Sequence, residues 1–327
     1  MTPKVAVTLS TTKLRIATRN SPLALWQADH VAKLLRAIEP GLDVTMVSME
    51  TFGDRRLDLS IPELGGKGVF SKEVQQLVIT GEADLAVHSA KDLQAVTPEE
   101  LVIAAYPERG DPRDALIGCS MADLAEGAAV ATGSNRRSAL LLDERPDLKL
   151  HPLRGNIATR LTKLRDFDAV VLAAVALDRL AVEPPVVDRL DPAGFVPQVG
   201  QGALAVEIRR DDQPLLDLVS GINHAETALT VSAERSFLAE LGGDCNLPAG
   251  AYARLVNGSA LVHGRGGPDG VAATTDAVIE IRGVLASADC TGLQRAVEAG
   301  PPSVDPGRVL ARHLRKQLEA AESADGR

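Results

Sequence analysis

His88, Ser89, Lys91 and Asp92 bring four different chemistries into five consecutive positions. They follow a short apolar run, Leu85-Ala86-Val87, that reads as a buried strand, and open α/β sheets gather ligands at the carboxyl ends of their strands. A carboxylate fixed there steadies a developing cation or relays a proton, although a lone aspartate after a strand more often only closes a loop. Arginines form a second set. Arg19, Arg136, Arg137 and Arg154 sit in Gly/Ser/Thr-rich turns rather than on helix faces, Arg160 falls one turn into a helix, and Arg179 follows another apolar run. Guanidinium groups beside helix starts suit a small anion, because free backbone N–H groups and the positive dipole end point the same way. Any one of these arginines is more often a solvated surface charge; their shared placement is the stronger signal. The third feature is Cys245 in "LGGDCNLPAG". A thiol in an accessible Gly/Pro loop can reach an electrophilic carbon, which a core thiol cannot do. Cys119 and Cys290 read as packing residues, the commoner fate of an isolated cysteine.

Composition narrows the partners. Thirty-five Lys and Arg against 44 Asp and Glu give a net charge of -9, and the chain carries one Trp, two Tyr and five Phe. Nucleic acid rewards a basic face and stacking rings, so it is excluded. An acidic protein with focused cationic pockets points to a small anionic ligand. Three widely spaced cysteines fit a reduced cytoplasm better than a disulfide framework or a CxxC metal site, and no metal is expected. The apolar run in "MTPKVAVTLSTTK" is too short for a signal peptide, and no stretch approaches a membrane span. The expectation is a soluble cytoplasmic protein without a membrane partner.

The elements that must position these residues alternate. A β-rich run ends at Arg19, Ser21 caps a helix, Pro22 suits its first turn, and Ala24, Ala28, Val31, Leu35 and Ile38 recur at helical spacing before Pro40-Gly41. The same order returns where a strand ends at Thr132 and Gly133-Ser134-Asn135 opens a helix carrying Arg136 and Arg137. Two lobes share one plan. "LKLHPLRGNIATRLTKLRD" repeats it with Asn156 as the cap, and "DAVVLAAVALDRL" adds a buried strand, so mixed or parallel sheets are implied. Thr51 to Gly68 shows no periodicity over a length typical of a functional lid. In the last third, Ala225 to Leu241 repeats at i, i+4 until Gly242-Gly243, an Asn257-Gly258 hairpin signal follows, "DAVIEIRG" reads as a third strand, and Val309 to Leu318 as a closing helix.

Together "RIATRNSPLALWQA", "GGKGVF", "AVHSAKD", "DPRDAL", "LRGNIATRL", "VGQGALAVE" and "GGDCNLPAG" resemble, in order, the motifs of the porphobilinogen deaminase family. The resemblance implies an α/β fold with two periplasmic-binding-protein-like lobes of mixed sheets, plus a C-terminal α+β domain with a small antiparallel sheet. Residues 1–107 and 203–220 would form the first lobe, 113–196 the second and 225–327 the third domain. It implies a dipyrromethane cofactor held by a thioether to Cys245, and condensation of four porphobilinogen molecules, each losing ammonia, into hydroxymethylbilane. Loss of ammonia leaves a cationic azafulvene, for which Asp92 would be the catalytic carboxylate. Ser89, Lys91, Thr132, Ser134, Arg136, Arg137, Arg154 and Gln201 would bind the cofactor, and Arg19, Ser21, Arg160 and Arg179 the substrate's carboxylate arms. As helix-start cations facing the cleft, Arg136 and Arg137 are expected to be replaceable without loss of the fold. A monomer is implied. Glu63, Gln94, Asp178 and Asp244 depart from the family pattern, where lysine, proline, a basic residue and glycine are common, and they bear on the rim, the lid and the acidity of Cys245. From the residues alone, a two-lobed protein that captures an anion without catalysis stays open, as does a member of the family turned to regulation or scaffolding.

Overall fold

The protein is seen in a computed structural model that describes residues 13–51, 71–243, 247–256 and 277–324. Strand β1 (Lys13–Arg19) leads into α1 (Pro22–Ile38), where the Ser21 side chain accepts from the Ala24 N–H and Pro22 occupies the first turn, a place where no N–H is needed. Then come β2 (Asp43–Met49), α2 (Lys72–Ile79), β3 (Leu85–Ser89), a 3-10 turn over Ala90–Asp92 and β4 (Leu101–Ala105). The chain crosses to β5 (Asp114–Ile117) and β6 (Ala129–Thr132), α3 (Asn135–Glu144), β7 (Lys149–Pro152) and α4 (Ile157–Thr162). β8 (Ala169–Ala173), α5 (Ala174–Leu180) and β9 (Val187–Arg189) complete that run before the chain crosses back to β10 (Leu204–Arg209) and α6 (Gln213–Val219). A long helix, α7 (Ala225–Glu240), precedes β11 (Ala249–Val256), β12 (Val278–Leu285), β13 (Gln294–Gly300) and α8 (Asp305–Ala324).

Two five-stranded sheets result, and they share one plan. The first runs β2-β1-β3-β10-β4 and the second β7-β6-β8-β5-β9. In each, a central strand is parallel to both neighbours (β1 to β2 and β3; β6 to β7 and β8), and the fourth strand is antiparallel to its own (β10 to β3 and β4; β5 to β8 and β9). The strand–turn–helix of β1-α1 therefore corresponds to that of β6-α3. Ala28, Val31 and Leu35 of α1 pack on Ile16, Leu85 and Val206 of the first sheet, while Val74 and Val78 of α2 cover its other face at Ala17 and Ala86.

The third sheet is antiparallel, β11-β12-β13, and Phe237 of α7 with Leu310 and Leu314 of α8 closes its core on Ile279 and Ile281. Glu234 on α7 ties the parts together. Wholly buried, it accepts from Arg109 Nη1 (2.7 Å) and from the N–H groups of Gly200 (2.7 Å) and Ala253 (2.9 Å), joining both crossovers to the third sheet. The crossovers touch each other at Gly110 N–H to Gly202 O, 3.1 Å. Gly202 has φ +88°, and a Cβ there would lie 2.6 Å from the Gly110 carbonyl, so only glycine fits.

The third sheet adds to what the local signals of the last third announce. The strand at "DAVIEIRG" pairs with both β11 and β13, and β13 is a polar alternating strand lacking the β-branched residues that mark β12. The closing helix extends beyond Val309–Leu318 at both ends. The Asn257-Gly258 signal and all of the proposed lid except the buried Thr51 lie outside the described residues. Among the described residues no helix is long and apolar enough to cross a membrane.

Candidate functional site

The ends of β1 and β3 bring Arg19 and Asp92 to one place. The 3-10 turn after β3 swings Asp92 across the sheet edge, where its Oδ2 lies 3.8 Å from Arg19 Nη1, the two side chains 33% and 23% exposed. A pocket opens there, lined by Arg19, Ser21, Gln27, Ser89 and Asp92 among others. Ser89 is oriented by Gln27, whose amide nitrogen stands 2.8 Å from its hydroxyl. Gln27 was not among the residues expected at the site. Its signal was in the pattern all the same: a buried amide on the helix face that otherwise carries Ala24, Ala28 and Val31.

The matching place in the second lobe is built differently. Ser134 caps α3, accepting weakly from the Arg137 N–H at 3.5 Å, and the Ser134 N–H reaches Thr132 Oγ1 at 3.3 Å. Arg136 and Arg137 in the first turn are both buried, and both fold onto the fully buried Asp114 at the start of β5. Arg137 donates from Nε (2.9 Å) and Nη2 (2.7 Å) to Asp114 Oδ1 and from Nη1 to the Val171 carbonyl; Arg136 Nη2 lies 2.8 Å from Oδ2, and its Nη1 donates to the Val196 carbonyl. Burial pushes the Asp114 carboxyl up, but Arg136 and Arg137 outweigh it and hold it down at about 2. The expectation that these arginines are replaceable without loss of fold is therefore revised: removing both leaves the Asp114 charge buried without a counterpart.

Gln201 links the two places. It is wholly buried, its amide nitrogen donates to the Pro112 carbonyl (2.8 Å) and to Asp114 Oδ1 (3.0 Å), and its carbonyl oxygen accepts from Lys91 Nζ at 3.2 Å. Burial first, then the Arg137 charge, brings the Lys91 ammonium down to about 8, against the opposing pull of Asp92 and Asp114. Arg160 joins the same field. Its Nε donates to the Gly155 carbonyl at 2.7 Å, and burial followed by Arg137, Arg154 and Arg19 lowers it to about 10, while Asp92 raises it. Arg19, Lys91 and Arg160 thus share a field with Asp92, and Arg137 and Arg154 act on Arg160 in turn, a setting that favours a ligand carrying several carboxylates.

Arg179 stands apart. It lies in the last turn of α5, donates to the Gly202 carbonyl at 2.7 Å and stacks over the Trp26 ring of α1, 5.5 Å from its centroid, in the contact between the lobes. Its neighbour Asp178, the departure from a basic residue, pairs with Arg189, which also grips Asp111. Cys245, Asp244 and Glu63 lie outside the described residues.

Comparison with known proteins gives a consistent result. The family model described as "Porphobilinogen deaminase, dipyromethane cofactor binding domain" matches residues 14–217, and the model of the porphobilinogen deaminase C-terminal domain matches residues 228–316. The porphobilinogen deaminase of Syntrophomonas wolfei is 43% identical over 317 residues, covering 94% of this chain and 97% of its own. That of Syntrophobacter fumaroxidans is 41% identical over 310 residues, covering 93% and 94%. Among solved structures, the methionine-binding protein MetQ overlaps 64% of this chain and 88% of its own at 14% identity and a TM-score of 0.39.

Proposed function

The chain belongs to the porphobilinogen deaminase family, and we propose that it is a hydroxymethylbilane synthase. It condenses four porphobilinogen molecules, each losing ammonia, into the linear tetrapyrrole of porphyrin and haem biosynthesis, starting from a covalently bound dipyrromethane. The observation that carries this reading is the Asp92 carboxylate, set opposite Arg19 inside a converging group of cations. The domains are 1–107 with 203–220, 113–196 and 225–327, a division supported by the separate sheets of the described residues. The protein works in the cytoplasm, a reading supported by its cysteine usage, and as a monomer.

The donor set suits a dipyrromethane, whose acetate and propionate arms are carboxylates that guanidinium groups bind two bonds at a time. Ser89, Lys91, Thr132, Ser134, Arg137, Arg154 and Gln201 hold it, with Arg136 bracing Arg137 from behind, and Cys245 anchors it. When bound, it supplies the free pyrrole α-carbon to which the first unit is joined. Asp92 accepts the pyrrole N–H groups of porphobilinogen, offsets positive charge as ammonia departs, and takes up the proton released when the new C–C bond forms. Arg19, Ser21, Arg160 and Arg179 hold the substrate's carboxylate arms.

Ammonia release from porphobilinogen tests this. The purified protein is expected to release it, and Asp92→Asn to fold and bind substrate yet lose at least about 10²-fold in turnover, the cost of a missing preorganised electrostatic partner. Near-normal release by the variant would move the catalytic role elsewhere.

A further inference from the structure

Asp114 stands outside the residues assigned above, yet it is where their hydrogen bonds meet. It lies at the start of β5, at the point where the chain enters the second sheet, and it is completely buried. Such a carboxylate is tolerated only when donors surround it. Three hydrogen bonds reach Oδ1, from Arg137 Nε, Arg137 Nη2 and Gln201 Nε2, and Arg136 pairs with Oδ2. The Gln201 bond has a further consequence. An amide has one donating and one accepting end, and an ionised carboxylate only accepts. Asp114, together with the Pro112 carbonyl, therefore fixes the Gln201 nitrogen toward the second lobe and leaves its oxygen facing Lys91. Turned the other way, the amide would set oxygen against carboxylate and N–H against ammonium.

We propose that Asp114 is a positioning residue for the condensation: one buried carboxylate of the second lobe fixes the Arg136–Arg137 pair and, through the orientation of Gln201, the Lys91 ammonium beside Asp92. This deepens the reading above and rests on it. The arginine pair and the Asp92 turn, which belong to different sheets, are thereby held in register by a single anion. Arg137, Asp92, Asp114 and Arg136 are the charges that act most strongly on Lys91. Taking away the Asp114 charge removes a group that favours the ammonium and leaves in place the arginines that oppose it. The Lys91 midpoint must then move down, and any activity that needs this ammonium must fail at lower pH, since the ammonium is lost as pH rises through its midpoint.

Competitive acetylation of the full-length protein across a pH series, read lysine by lysine by peptide mass spectrometry, tests this without relying on turnover. In the unaltered protein Lys91 is expected to titrate near about 8. In Asp114→Asn its midpoint is expected to fall by about half a unit to one unit, the scale of one nearby charge, and in Asp114→Glu to return toward the original value. The alkaline limb of ammonia release moves with it. Should Asp114→Asn fail to fold, Gln201→Met severs the link with the charge left in place, and a smaller downward shift is expected. An unchanged Lys91 midpoint in whichever variant folds overturns the proposal. An unaltered protein that releases no ammonia defeats the functional reading instead, and the acetylation result stands apart from it.

Discussion

Two places in the molecule are built from one plan and used in opposite ways. In each lobe a central strand ends, a serine caps the following helix, and arginine stands beside that helix start. In the first lobe Arg19 comes before the cap and meets Asp92 at 3.8 Å across a pocket open to solvent. In the second, Arg136 and Arg137 come after the cap, so the helix turns them inward onto Asp114, where the side chains are 2%, 7% and 0% exposed. A shift of a few residues relative to the cap decides whether an arginine stands at a pocket open to solvent or within a buried ion cluster. It also decides what the arginine contributes: an exposed pair at that distance adds little to stability, whereas a buried carboxylate depends on its partners.

Replacement of the arginines breaks the comparison most severely. The double variant Arg136→Leu/Arg137→Leu removes both cations from Asp114 together with the bonds to the Val171 and Val196 carbonyls and is expected to cost about 3–5 kcal/mol, the usual result of stranding a buried charge. Chemical denaturation would show this as a lower midpoint, and a midpoint unchanged from the parent would mean that the Asp114 cluster is not structural. Arg19→Leu is expected to leave the midpoint within about 0.5 kcal/mol. Its effect belongs in substrate use, where loss of a charge-assisted hydrogen bond worth roughly 1.5–3 kcal/mol lowers kcat/KM by about one to two orders of magnitude. Equal stability losses at the two sites would erase the distinction between them. The caps sharpen it at the small end: Ser21→Ala, breaking a 3.2 Å bond to the Ala24 N–H, is expected to cost about 1 kcal/mol, and Ser134→Ala, at 3.5 Å, about half that or less.

Much of this was legible in the sequence. Ser21-Pro22 and Gly133-Ser134-Asn135 announced both helix starts, and Asn156 the cap of α4, because capping is a local matter that a few side chains settle. The buried strands at Leu85 and Ala169 were plain from their apolar runs. What stayed hidden depends on partners distant in sequence. Nothing around Arg136 and Arg137 says that Asp114, more than twenty residues earlier, will bury them, and nothing around Arg179 says that Trp26 and Gly202 will receive it. Gln27 was legible as a polar residue on an apolar helix face but not as the partner of Ser89, and Gln201 was expected as a contact residue but not as the link between lobes. Strand β13 alternates without strong β-formers, so only its pairing with β12 makes it a strand.

The most direct measurement is the intact mass of the purified, denatured protein. A thioether survives unfolding, whereas hydrogen bonds and ion pairs do not. The expected result is a mass above that of the 327-residue sequence by a two-pyrrole adduct, mapping to the peptide that contains Cys245, absent in an inactive Cys245→Ser and retained in Cys119→Ser and Cys290→Ser. An active enzyme whose denatured mass equals that of the bare sequence would contradict the covalent primer and the reaction built upon it.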